Sequence, residues 1–248
     1  AEYARKGFSQ CEVASRVADP DLTSTLNNIS LVQSDLEHFE ESLATLRRSL
    51  GIKERTLGSE HPAVAIDLGN LGATYEEMGR YDEALAAGQQ ALAVAEKGLG
   101  TDHPDLGYAL TNIGNALVHK GRFAEARSVY ERAVDLRRRH LGADHPQLAF
   151  SLTGLGRVLL AAGDAAGALA PLRRAVAIRE QGEVDKPLLA ESRFTLGRAV
   201  WDSGGSRAAA RELAEQARAG ILEAGGRPTR LLREIEAWLG EHPAPARP

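Results

Sequence analysis

Apolar residues recur along this chain at helical spacing. Leu68, Leu71, Gly72 and Tyr75 follow one another at intervals of three, one and three, which places them on a single stripe of an α-helix. Pro62 precedes them and suits the first turn of a helix, where its missing N–H has no intrahelical partner. Gly79 ends the stripe as a C-cap, and Arg80-Tyr81-Asp82-Glu83 opens a second helix. Ala84, Leu85, Ala91, Leu92 and Val94 make that helix's buried face, and Gly100 stops it. The unit is a helix–turn–helix that can bury its apolar face only by stacking on a neighbour.

The neighbours are written into the chain. L-G-S-E-H-P from Leu57, L-G-T-D-H-P from Leu99 and L-G-A-D-H-P from Leu141 mark a joint that returns every 42 residues. Leu110-Ile113-Gly114-Leu117, Gly121-Arg122-Phe123 and Ala126-Ala133 fill the next copy. Leu152-Leu155-Gly156-Leu159, Gly163 and Ala168-Ala175 fill another. An earlier, looser copy has Pro20, Leu26, Ile29, Phe39 and Leu43, with Ser30 and Glu37 where glycine is usual. A later copy starts at Pro187, one residue early, and carries Leu196-Gly197, Gly204-Gly205 and Ala210-Ala217 with an insertion near Gly205.

This frame predicts an all-α protein with repeats at 20–61, 62–103, 104–145 and 146–186 and a divergent repeat at 187–227. Residues 1–19 read as the second helix of a truncated preceding repeat. Phe8 there matches Leu50 and Leu92 and leaves apolar surface partly uncovered. The start at Ala1, inside a helical pattern, reads as a piece of a longer protein. Residues 228–241 read as a capping helix, with Leu231, Leu232, Ile235, Trp238 and Leu239 inward and Arg230, Arg233, Glu234 and Glu236 outward. Residues 242–248, rich in proline, read as a disordered tail.

Composition narrows the function. A net charge of -4 without a basic stripe argues against nucleic acid as a partner. No apolar run approaches the ~18 residues of a membrane span, and no signal peptide is visible, so the reading is cytoplasmic with no membrane partner. The single cysteine, Cys11, precludes an internal disulfide framework and suits a reducing compartment. No C-x-x-C, no H-E-x-x-H and no nucleophile turn occurs, so the chain reads as non-enzymatic and without cofactor or metal. His61, His103 and His145 form a series, but equivalent atoms in stacked helices lie ~10 Å apart. Zinc ligands sit ~2 Å from one ion, so these histidines are expected to bond backbone groups at the joints.

Leu-x-x-Leu-Gly-x-x-Tyr, then Gly-Arg-Tyr-x-Glu-Ala, then Ala-Leu, resembles the tetratricopeptide repeat (TPR). The 42-residue length and the L-G-x-[DE]-H-P joint resemble its kinesin-light-chain subtype. The resemblance implies a right-handed superhelix, an α-solenoid of about five helix pairs with a C-terminal cap, whose first helices line a concave groove. Ala190-Glu191-Ser192-Arg193-Phe194 with Leu196 and Trp201, and Glu236-Ala237-Trp238-Leu239, are similar to the C-terminal region of myxobacterial serine/threonine protein kinases, which carry TPR arrays behind a kinase domain. No Gly-rich phosphate loop, H-R-D or D-F-G occurs in this chain.

The core positions leave Ile66, Gly69, Asn70, Ala73, Glu76 and Glu77 to face such a groove. Asn28, Asn70 and Asn112 repeat there, and Asn115 and His119 follow on the same helix. A carboxamide donates and accepts, so it can hold a peptide backbone without reading side chains. It can equally tie adjacent helices together. The kinesin-light-chain family carries a similar asparagine, which implies extended peptides as ligands. Asp35, Glu76 and Glu77 make an acidic end. Arg157 and Arg198, with Tyr108, Phe150 and Trp201, make a basic and aromatic end that would orient a peptide. Asn27, Gly69, Thr111, Thr153 and Phe194 stand where the chaperone-binding TPR type needs Lys. The chain therefore reads as a module for a protein or peptide ligand, with self-association through the exposed N-terminal helix as the alternative.

Overall fold

The structure, a computed structural model, describes residues 20–181, 185–225 and 230–243. Among these residues are eleven helices and no strand. Two compact units divide the chain at 1–120 and 121–248. The first holds α1 (Pro20–Asp35), α2 (Phe39–Leu57), α3 (Pro62–Glu77), α4 (Tyr81–Leu99) and α5 (Leu106–His119). The second holds α6 (Phe123–Leu141), α7 (Pro146–Ala161), α8 (Ala165–Gln181), α9 (Lys186–Asp202), α10 (Arg207–Glu223) and α11 (Arg230–Glu241). The division falls inside the third copy of the repeat. Phe8 and Cys11 lie outside the described residues.

Local chemistry sets the helix boundaries. At α3, Nδ1 of His61 accepts a hydrogen bond from the Ala63 amide at 3.1 Å, with Pro62 in the first turn. At α7, His145 does the same for Gln147 at 3.2 Å. His103 accepts from the Asp105 amide at 3.2 Å. The three histidines thus serve their joints: His61 and His145 each satisfy one of the N–H groups that a helix start leaves orphaned, and His103 bonds the N-cap residue just before α5. Gly79 turns α3 into α4 with φ 74°, and the corresponding residue of the first pair, Glu37, takes φ 62° with a side chain. A left-handed residue other than glycine costs about 1–2 kcal/mol, so the first pair is strained at a turn where the other copies are not.

Helix pairs bury their apolar stripes within each unit. In the first unit Leu43, Leu46, Val64, Leu68 and Leu71 pack with Ala91 and Ala109. Gly72 permits close approach: a Cβ there would lie 3.3 Å from the Ala84 carbonyl oxygen. In the second unit one cluster forms about Leu159, Leu172 and Leu196, and another about Leu148, Leu152 and Ile178.

The capping helix α11 seats Leu232 and Ile235 against Ala190, Phe194 and Ile221. Trp238 meets the Phe194 ring edge-on at 6.1 Å. His242 stacks on Trp238 at 4.3 Å, and Arg211 donates to the Leu239 and His242 carbonyls. His242, placed by sequence in a disordered tail, is therefore part of the cap, because its ring completes an aromatic cluster.

Candidate protein-binding surface

The first helices of the first unit expose a face rich in large side chains. Ile66 on α3 and Tyr108 on α5 are 52% and 56% exposed and stand 42 residues apart. The Tyr108 ring lies against Gly69, where a Cβ would meet it at 3.6 Å. Asn28 is exposed, while Asn70, Asn112 and Asn115 are half-buried. Nδ2 of Asn112 donates to the Gly69 carbonyl at 2.9 Å, so this amide ties α5 to α3. The asparagine series is thus not uniform: at Asn112 the helix-tying role is in place.

At the C-terminal end of this face, Glu76 and His119 pair at 3.4 Å with side-chain exposures of only 18% and 20%. The His119 ring stacks on Tyr81 at 4.4 Å and 5° between planes. Both residues stand among those expected to line a groove, and here they pair with each other. Glu77 is exposed as a residue, yet desolvation of its carboxyl raises its pKa above the ordinary 4.5. A hydrogen bond with the Ser34 side chain opposes this shift, and the charges of Asp35 and Glu76 add to it. A carboxyl with a raised folded pKa binds its proton more tightly folded than unfolded, so stability falls as pH rises from 4.5 through the folded value. Glu77→Gln should raise the urea midpoint at neutral pH. The gain should disappear when the measurement is repeated below the usual carboxylate range, and a pH-independent difference would refute the assignment.

The second unit presents a different surface. Phe150 is 41% exposed, with the Arg179 guanidinium 4.6 Å above its ring. Arg157 pairs with Glu191 at 3.3 Å, and exposed Arg198 lies 5.9 Å from the Phe194 ring. Trp201 meets Trp238 at 5.5 Å and His242 at 4.6 Å, and Arg207 lies 5.0 Å above it. Trp201 was expected among groove residues. Its ring also packs against the cap, since the apolar face of α11 needs a partner.

Two further features were missed in the sequence. The first is a ladder on the second helices: Lys53, Ala95, Arg137 and Arg179 stand 42 residues apart. Lys53 pairs with Asp67 at 2.6 Å, and Arg137 donates to Ser151 Oγ at 2.7 Å. Ala95 and Ala109 are both buried where those pairs stand. Arg179 has no such partner: its Nε and Nη2 are buried without a hydrogen bond among the described residues. Desolvation lowers its pKa, opposed by the charges of Glu191 and Asp185. The ladder was readable from the spacing alone. The second feature is Tyr130, 1% exposed, which fills the space over Gly154, where a Cβ would lie 2.1 Å from its ring. That contact was not readable, since it depends on which helix faces Gly154.

Among the described residues no helix is long and apolar enough to cross a membrane. Nor do three or more His, Cys, Asp or Glu side chains gather where they could hold a metal ion. The chain matches the tetratricopeptide repeat over residues 21–97, 68–139 and 105–181. It belongs to the tetratricopeptide repeat family. Proteins of this family are generally non-catalytic scaffolds that bind protein or peptide partners. No curated protein matches the chain significantly.

Solved TPR structures are similar. One holds the nearly identical TPR-like repeats of a Podosopora anserina protein assigned as a kinesin light chain. It is 26% identical, with a TM-score of 0.62 over 84% of this chain and 99% of that one. BtubC (BKLC) from P. vanneervenii is 20% identical, with a TM-score of 0.65 over 100% of this chain and 91% of its own. A Rap protein complexed with Competence and Sporulation Factor is 14% identical, with a TM-score of 0.69 over 89% of this chain and 64% of its own.

Proposed function

We propose that this TPR chain is an interaction module that holds an extended peptide of a partner protein against its first helices. The observation that carries the reading is the exposure of Ile66 and Tyr108, each more than half open, at one repeat position on successive first helices. Large apolar side chains left open at repeat spacing serve as anchors for a partner. Asn70 lies on the same helix as Ile66, and its carboxamide can both donate to and accept from a peptide backbone. Asn28 extends the same role along α1. On the first unit Asp35 and Glu77 favour a basic ligand segment; on the second, taken by itself, Phe150, Arg157 and Arg198 favour an acidic one. The Rap protein of similar fold is complexed with a factor, a use in keeping with this one. The sequence likeness to myxobacterial serine/threonine kinases supports a cytoplasmic signalling protein as the parent, with the TPR array recruiting substrates or regulators to its kinase.

Peptides selected against the chain test this by fluorescence polarisation. Ile66→Ser with Tyr108→Ala should weaken every peptide about tenfold or more, as loss of an aromatic anchor does. Arg157→Glu with Arg198→Glu should instead reject acidic peptides, an effect that fades as salt shortens the screening length from about 10 Å. Unaltered binding by both folded variants would retire the first helices as the working surface.

One observation favours self-association as a second reading. Residues 1–120 carry 18 acidic and 10 basic side chains, and residues 121–248 carry 16 and 20. Opposite net charges on the two units suit head-to-tail pairing of copies. Light scattering that shows a concentration-dependent mass, lost at high salt, would favour this reading over peptide capture.

A further inference from the structure

The fifth helix pair lacks two side chains that the fourth pair uses to close its core. Arg193 of α9 stands in the repeat position of Leu152 of α7, 41 residues earlier, because this copy starts one residue early. Gly220 of α10 stands in the position of Ile178 of α8, 42 residues earlier. Leu152 and Ile178 are 8% and 3% exposed and pack with Leu148, Ala175 and Val134. In the fifth pair the corresponding space is an open cavity of about 460 Å³ between the end of α8 and the facing sides of α9 and α10. Gly220 is not required by close packing: a Cβ there would sit at ordinary contact, 3.9 Å from the Ala190 Cβ and 3.7 Å from the Lys186 carbonyl oxygen. Its φ is not among the positive ones either. The glycine's effect is to leave room.

The lining has a definite chemistry. Leu189, Ala190 and Ala219 give it an apolar side. Its polar side holds Gln216 and two opposite-charge pairs, Arg193 with Glu180 at 2.8 Å and Lys186 with Glu223 at 3.1 Å. The Arg193 Nε is buried without a hydrogen bond among the described residues, so this guanidinium is incompletely satisfied where it stands. A carboxylate alone would meet two cations and two anions, with attraction and repulsion in near balance. A ligand carrying both charges close together meets both. Ligand sites in proteins span about 300–1,000 Å³ and combine apolar walls with a few polar groups that fix orientation.

We propose that this cavity binds a small zwitterion with an apolar side chain, of the size of a free aliphatic or aromatic amino acid. Its carboxylate goes to Arg193 and Lys186 and its ammonium to Glu180 and Glu223. Its side chain fills the space that Leu152 and Ile178 occupy in the preceding pair. The site uses none of the residues of the exposed first-helix surface and does not depend on it.

Titration of the isotope-labelled chain with L-leucine and L-phenylalanine, followed by amide shifts, tests the proposal. Saturable shifts below about 10 mM are expected at residues 189–193 and 219–223. N-acetyl-L-leucine and L-leucinamide, each short of one charge, should bind about tenfold or more weakly, since a charge-assisted hydrogen bond is lost. Arg193→Leu with Gly220→Ile restores the residues of the fourth pair and should abolish the shifts while the thermal midpoint stays level or rises. Should that variant fail to fold, Gly220→Val alone should do the same. Shifts elsewhere, no saturation, binding that survives the plug, or N-acetyl-L-leucine binding as tightly as L-leucine would each overturn it. The last result would assign the cavity to a peptide C-terminus.

Discussion

Replacing Lys53 by Met should destabilise the first unit by about 3–5 kcal/mol, the usual cost of leaving one member of a buried ion pair without its counter-charge. Asp67 is 0% exposed, and Lys53 is the cation paired with it among the described residues, 2.6 Å away. What would remain is the Asn27 amide, which donates to the same carboxylate oxygen at 2.9 Å. The other oxygen of Asp67 already lacks a partner among the described residues, so the site cannot absorb further loss. The next copy of the repeat shows the remedy, since Ala95 and Ala109 occupy the same two positions with no charge at all. Lys53→Met combined with Asp67→Leu should therefore recover most of the loss, because a buried pair exchanged for apolar side chains is often neutral. Recovery should be incomplete, as Asn27 loses its acceptor. Urea denaturation of the single and double variants gives both numbers. A double variant as unstable as Lys53→Met would mean that packing, not the orphaned charge, sets the cost.

Installing the missing asparagine should fail in the fourth pair. Gly154 occupies the position of Asn70 and Asn112, and Gly154→Asn looks conservative by register. Even a Cβ would lie 2.1 Å from Tyr130 Cε1, and Tyr130 is 1% exposed and cannot swing away. Overpacking typically costs about 1–3 kcal/mol and occasionally more, and this overlap belongs at the upper end. The second helices explain the compensation: the residue at the Tyr130 position one copy earlier is Gly88, which has no side chain to compete with Asn112 and against which Ile113 packs closely. Tyr130→Gly alone removes a large buried ring and should cost about 3–5 kcal/mol. Gly154→Asn added to Tyr130→Gly should cost far less than it does in the parent, a non-additivity expected of residues in contact. Thermal midpoints of the three variants check this, and additive losses would show that the two positions do not compete for one space.

Much of this protein is local and hence legible in one dimension. The stripe from Leu68 to Tyr75, the histidine joints at His61, His103 and His145 and the glycine turns each depend on residues within a few positions of one another. Helix periodicity and capping are properties of such short stretches. The 42-residue return follows because each pair must stack on another like it. Stacking also puts the Lys53, Arg137 and Arg179 ladder within reach of sequence reasoning, although only contact geometry shows that Arg179 lacks the partner that Asp67 and Ser151 supply in earlier copies.

What a side chain does at its repeat position was decided by tertiary structure. Asn112 gives its amide to the Gly69 carbonyl, Glu76 takes His119, Trp201 joins Trp238, and Gly154 yields its space to Tyr130. The chain alone places all of these on the right helices. It does not say which are left for a partner, because that depends on the volume and hydrogen-bonding groups that a helix from another pair projects onto the same spot. Close packing lets one large residue there exclude another, so the outcome at each position is a property of the contact and not of either sequence segment.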